Sequence, residues 1–141
     1  MTWVLVVGTV ATWMMVGVIW MVQVVHYPML SGYSALVPSA AASEHQRRIT
    51  PVVGVPMAAE GITSLVLLVD RPPTLGVAAA WASAALLGIA LLSTIAIQVP
   101  LHGRLAAGHD DEVARRLVTT NWVRTIAWTA RGIVLAAVLA T

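Results

Sequence analysis

The sequence predicts an all-α protein: a single domain over residues 1–141, folded as a bundle of four transmembrane helices. Three observations carry this. Hydrophobic residues make up 59% of the chain and charged residues 10%, with a mean hydropathy of +0.86. Four apolar stretches are each about 20 residues long, the length a helix needs to cross roughly 30 Å of hydrocarbon. The few charges gather mostly between those stretches. A soluble domain carries roughly a quarter charged residues. This chain has too few to solvate a small globule, and too much apolar surface to stay unfolded.

The first span is expected at about 3–25. It has no basic leading segment, it is long for a signal peptide, and no small-residue cleavage site follows it, so it reads as a retained helix. Tyr27-Pro28 should end it. The loop over 26–50 is expected to carry a short amphipathic helix at about 39–49, lying at the membrane interface. Thr50-Pro51 looks like an N-cap with proline at the first helical position, which starts a second span at 51–69. Asp70-Arg71-Pro72-Pro73-Thr74 reads as a tight hairpin, with Thr74 capping a third span at 76–99. Ala80, Ala84 and Gly88 form a small-residue ridge on that span, of the kind that lets a neighbouring helix approach. Gly108 and Asp110 or Asp111 precede a fresh helical start with Glu112 in its first turn, where the helix dipole favours acids. The fourth span is expected at about 118–140.

Arginine placement predicts the orientation. The loops at 26–50 and 100–117 hold Arg47, Arg48, Arg104, Arg115 and Arg116, whereas the other side holds only Arg71. By the positive-inside rule the two long loops are cytoplasmic and both termini face out.

Several chemistries are excluded. The arginines are scattered rather than forming a stripe, which argues against nucleic acid as a partner. The chain has no Cys, so disulfides, thiolate metal sites and cysteine nucleophiles are absent. It has no Lys for a Schiff base, no glycine-rich phosphate loop and no GxSxG elbow.

Polar groups within the spans demand an explanation, because hydrocarbon cannot solvate them. Glu60 lies about 15 Å along the second span from Thr50, at 1.5 Å per residue. Asn121, Arg124, Trp128 and Arg131 step by three, four and three along the fourth span, which is one helical face. Thr94, Gln98 and His102 step by four on the third, and Gln23 and His26 are three apart at the end of the first. The topology brings Gln23, His26, His45, Gln98, His102, Asn121 and Arg124 to one end of the bundle, with Glu60 and Arg131 deeper. The expectation is a polar pocket open to the cytoplasmic interface and floored by a Glu60–Arg pair. A faint repeat, Gln23-x-x-His26 against Gln98-x-x-x-His102, each followed by a loop with an Arg pair, raises the further reading that residues 1–70 and 71–141 are related hairpins.

Each group has a structural and a chemical reading. Glu60 is either half of an ion pair with Arg124 or Arg131, or a general acid or base tuned by desolvation. Two arginines facing one glutamate leave a spare cation for an anionic or carbonyl-bearing ligand. His26, His45 and His102 either cap helix ends at the interface or ligate a haem or a Cu, Fe or Zn ion. Trp128 packs in the core or stacks on a guanidinium or a ligand ring. His109 sits in a polar loop and reads as solvated.

The pattern Gln23-x-x-His26-Tyr27-Pro28, His45-x-x-Arg48-Ile49, Pro51-Val-Val, Pro56-Met57-x-x-Glu60, Gln98-Val-Pro-Leu-His102 and Asn121-Trp122-x-Arg124-Thr125-x-x-Trp128-x-x-Arg131 resembles a group of uncharacterised small bacterial four-helix integral membrane proteins. The likeness spans nearly the whole chain and implies a multi-pass protein of the bacterial inner membrane. Size and layout are more distantly similar to the anthrone-oxygenase-like membrane proteins, from which no catalytic residue carries over.

The leading functional expectation is a membrane-embedded site for a lipophilic substrate or redox cofactor. Its candidate metal ligands are His26, His45 and His102. Glu60 and Arg124 are the candidate catalytic groups, and Gln23, Gln98, Asn121, Trp128 and Arg131 would contact substrate. If the protein is an enzyme, oxidoreductase chemistry on an aromatic or quinone-like molecule is the first expectation. The alternatives are an accessory subunit of a larger respiratory-type membrane complex, and a small transporter or proton pathway gated at Glu60, which would need a homo-oligomer.

Overall fold

The computed structural model describes residues 1–29, 38–108 and 110–140, and for residues 38–42 the backbone alone. His109, expected in a polar loop, lies outside the described residues. Four helices form an antiparallel bundle: α1 (Thr2–Met29), α2 (Pro38–Val69), α3 (Val77–Ala107) and α4 (Asp111–Leu139). Among the described residues there is no strand. Each helix packs against two neighbours, in the ring order α1, α2, α3, α4. All four are long and apolar enough to cross a membrane.

The distribution of side chains is the reverse of that of a soluble protein. Trp3 is 80% exposed and Val69 88%, while Glu60 is fully buried and Arg131 is 1% exposed. An apolar mantle around a polar interior is stable only where the surroundings are apolar. Three apolar clusters stack along the axis. One, with Tyr27, Leu101, Leu105 and Leu117, fills the arginine-rich end. A second, with Met15, Ile19, Ala90 and Trp128, fills the middle. The third, with Leu5, Leu67, Leu75 and Leu135, closes the hairpin end.

The helix boundaries differ from the sequence expectation in four places. The interfacial helix and the second span are one continuous helix, with Pro51 and Pro56 in its interior. Thr50 does not act as a cap: its hydroxyl donates to the Gln46 carbonyl, four residues back, at 2.7 Å. At the start of α3 the N-cap is Gly76 rather than Thr74. Beyond residue 99, α3 runs through Pro100 to Ala107. A π-turn at Thr94–Gln98 precedes the proline, and Val99 N–H bonds back five residues to the Thr94 carbonyl. Finally, the fourth span is continuous with the helical start expected beside Asp110, two turns before residue 118, and Asp110 caps it by accepting from the backbone N–H of Glu112 and Val113.

A second π-turn, Val22–His26, occupies the matching end of α1, where Tyr27 N–H bonds to the Val22 carbonyl. Such turns shift the helical register and are common at functional sites. Here the first covers Gln23–His26, and the second ends at Gln98, one turn before His102.

Close helix approach occurs at Gly8 of α1, not on the expected ridge of α3. A Cβ at Gly8 would lie 2.8 Å from Thr63 Oγ1, whereas one at Gly88 would meet nothing. The buried face of α3 is instead Ala80, Ser83, Leu87 and Ala90.

Candidate functional site

Two polar clusters occupy the interior, and they differ in how completely their groups are paired. The deeper one centres on Glu60 and Arg131. Arg131 Nε lies 3.3 Å from Glu60 Oε1 and donates to Thr12 Oγ1 at 3.0 Å. Its Nη1 donates to the Ser83 carbonyl at 2.7 Å and to Ser83 Oγ at 2.9 Å, and Nη2 donates to Ser64 Oγ at 2.8 Å. Glu60 accepts from Thr12 Oγ1 at 2.7 Å and from Trp128 Nε1 at 3.0 Å. Every helix contributes: Thr12 from α1, Glu60 and Ser64 from α2, Ser83 from α3, and Trp128 and Arg131 from α4. A buried ion pair is tolerable only when its remaining donors and acceptors are met, and here they are. The partner of Glu60 is therefore Arg131. Neither residue lines the cavity described next, nor does Trp128.

That cavity, about 240 Å³, lies toward the arginine-rich end. Its polar lining includes Tyr27 from α1, His45 and Gln46 from α2, Gln98 and His102 from α3, and Arg124 from α4. Met15, Ile19, Ile49 and Val53 supply apolar wall. The step of four from Gln98 to His102 lies just beyond the π-turn and keeps both residues buried on one face of α3. On α1 the same step joins Gln23 to Tyr27, and both are buried.

Arg124 is 7% exposed, and among the described residues no carboxylate pairs with it. Its guanidinium sits over the Trp128 ring, 5.4 Å from the centroid, and meets the Tyr27 hydroxyl. Its Nε has no hydrogen-bond partner. Four of the exposed arginines contrast with it: Arg47 and Arg48 pair with Glu44, Arg115 with Glu112, and Arg104 with Asp110. The spare cation foreseen in the sequence is thus Arg124, and it faces a cavity.

The hydrogen-bond pattern assigns the neighbouring protons. Thr120 Oγ1 gives its hydrogen to the Arg116 carbonyl at 2.6 Å and accepts from Gln98 Nε2 at 2.9 Å. Gln98 Oε1 therefore faces Tyr27 and takes the phenolic hydrogen, at 3.3 Å. Tyr27 then accepts from His102 Nε2 at 2.8 Å. That leaves His102 Nδ1, buried and without a partner, as a bare acceptor. Arg124 and His102 thus both line the cavity, and each keeps one buried nitrogen without a hydrogen-bond partner.

The structure does bring the three histidines together. His26 Nε2 lies 2.7 Å from His45 Nδ1 with the rings stacked at 4.3 Å, and the His45 and His102 rings are 5.1 Å apart. Their planes are within 29° and 32° of parallel. The expected metal or haem site gains no support from this arrangement. Among the described residues no group of three or more His, Asp or Glu is placed to hold a metal ion.

Gln23 and Asn121 meet each other rather than the cavity. Asn121 Nδ2 donates to Gln23 Oε1 at 2.8 Å, and Gln23 Nε2 donates to the Val118 carbonyl at 3.2 Å, bracing α1 against α4. Sequence reasoning missed Tyr27, treating it as a helix end, and missed the hydroxyls of Thr12, Ser64 and Ser83. For Tyr27 a signal existed in its spacing of four from Gln23. The hydroxyl residues are common in apolar helices and carry none.

No protein family, curated protein or solved structure matches the chain.

Proposed function

We propose that this is a multi-pass protein of the bacterial inner membrane, in keeping with its likeness to small bacterial four-helix membrane proteins, and that its cavity binds the oxygen-acid head of a lipophilic molecule. The arginine-rich end, which holds the cavity, faces the cytoplasm. One observation carries the reading: Arg124 is buried, lines the cavity, has no carboxylate partner among the described residues and keeps an Nε without a hydrogen-bond partner. A lone buried guanidinium is costly within a bilayer. A ligand oxyanion offsets that cost with charge-assisted hydrogen bonds of fork geometry. His102 lines the same cavity, with Tyr27 and Gln98 fixing the orientation of its imidazole. Glu60, expected as the acid or base, is assigned to the structural pair with Arg131. A carboxylate held by three neighbours also makes a poor gate, which removes the main support for a transport role.

The test is ligand-dependent thermal unfolding in mild detergent. Decanoic acid should raise the unfolding temperature of the wild-type protein by mass action, and decanol, with the same chain and no acid, should not. Arg124→Gln should lose the response to decanoic acid. An equal shift from both compounds, or a shift retained in Arg124→Gln, would refute the assignment.

A further inference from the structure

A second cavity lies on the outer face of the bundle, in the valley between α1 and α2. It encloses about 480 Å³ and is walled by Gly17, Met21 and Val52 among others, with His26, His45 and Arg48 at one end. Val18, Val22, His45 and Ile49 line both this groove and the inner cavity. One layer of side chains therefore separates an apolar groove, open to the bilayer, from the cavity that holds Arg124.

The groove exists where a side chain is missing. A Cβ at Gly17 would meet nothing within 4 Å. Glycine inside a helix is less stable than alanine, and here no neighbour requires it, so what Gly17 contributes is the space. The wall between the compartments includes His45, whose ring hydrogen-bonds to His26 and lies against the rings of His26, Tyr27 and His102. Rotation about its first side-chain bond, at the cost of those contacts, would swing it aside on the timescale of rotamer exchange.

Resting on the reading of Arg124 above, we infer that the ligand is a single-chain carboxylic acid that enters sideways from the membrane, its chain lying in the groove between α1 and α2 and its head passing His45 to reach Arg124. A valley between two helices admits one chain alongside them, not a pair. Arg48 lies exposed at the groove end and shares one carboxylate, Glu44, with Arg47, so the pair keeps a net positive charge for a first contact with the incoming carboxylate. Arg124, buried and without a carboxylate partner among the described residues, gives it the second.

The experiment uses the full chain in nanodiscs with cis-parinaric acid, a fluorescent fatty acid excited by energy transfer from the native tryptophans. Oleic acid, oleyl alcohol and dioleoylphosphatidic acid serve as competitors. Oleic acid should displace the probe, and the alcohol and the two-chain acid should compete at least about tenfold less well, the effect of losing one charge-assisted contact or of a chain that does not fit. Gly17→Leu and Val52→Phe, both on the lipid side, should weaken binding about tenfold with unchanged unfolding temperature. Arg124→Gln should weaken it at least as much. If Arg124→Gln weakens binding and both groove variants leave it intact, the lateral route is wrong and the head site stands. If Arg124→Gln leaves binding intact, the head site itself is wrong. Equal competition by dioleoylphosphatidic acid would overturn the single-chain assignment.

Discussion

The indole N–H of Trp128 donates to Glu60 Oε2 at 3.0 Å, deep in the bundle. The face of the same ring lies under the guanidinium of Arg124, at 5.4 Å. One side chain thus separates the paired cation, Arg131, from the unpaired one. Trp128→Phe keeps the ring face and removes the donor. It should destabilise the protein by about 1–3 kcal/mol, the cost of an unmet buried acceptor, while decanoic acid still raises the unfolding temperature. Denaturant unfolding in detergent measures the first effect and ligand-dependent melting the second.

The Glu60–Arg131 pair should behave as a unit. Glu60→Gln or Arg131→Met alone leaves an uncompensated charge or an unmet network, and each should cost about 3–5 kcal/mol. The double variant should cost clearly less than the sum, because neither charge is then stranded. A double-mutant cycle by chemical unfolding checks this; simple additivity would contradict the pairing.

Gly8 and Gly17 lie on the same helix but should respond oppositely. At Gly8 a Cβ meets Thr63 Oγ1 at 2.8 Å, so Gly8→Ala must push α1 from α2 and should cost about 1–3 kcal/mol. At Gly17 there is open space, so Gly17→Ala should be neutral or stabilising by up to about 1 kcal/mol. Thermal melts of the two variants side by side decide the point.

Tyr27→Phe removes the hydroxyl that joins Gln98 to His102. Two buried groups lose a partner, for an expected loss of about 1–3 kcal/mol. Freed from Tyr27, the His102 ring can adopt either tautomer, so acid binding should weaken as well. ¹⁵N NMR of the histidine side chains reports the change: one neutral tautomer at His102 in the wild type, a mixture in the variant.

Much of this arrangement is readable from spacing. The face formed by Asn121, Arg124, Trp128 and Arg131 follows from steps of three and four, and all four residues are buried. The pairing of Glu60 is not readable. Arg124 and Arg131 are two turns apart, about 10 Å along the helix, and only the axial offset between α2 and α4 selects one. That offset is set by packing, including the close contact at Gly8. The extent of α2 is equally hidden. Thr50-Pro51 is compatible with a helix start and with a helix interior, and the bond from Thr50 to the Gln46 carbonyl decides between them. The π-turns that aim His26 and Gln98 leave no local signature, since their dihedral cost is met by tertiary contacts.

The central claim is that Arg124 is the anchor for a ligand oxyanion. Solid-state NMR on the protein in bilayers, with ¹³C-carboxyl decanoic acid and ¹⁵N-labelled arginine side chains, tests it most directly. A dipolar contact at hydrogen-bonding distance is expected between the bound carboxyl carbon and one guanidinium, lost in Arg124→Lys. A bound acid whose guanidinium contact persists in that variant, or that shows none in the wild type, would contradict it.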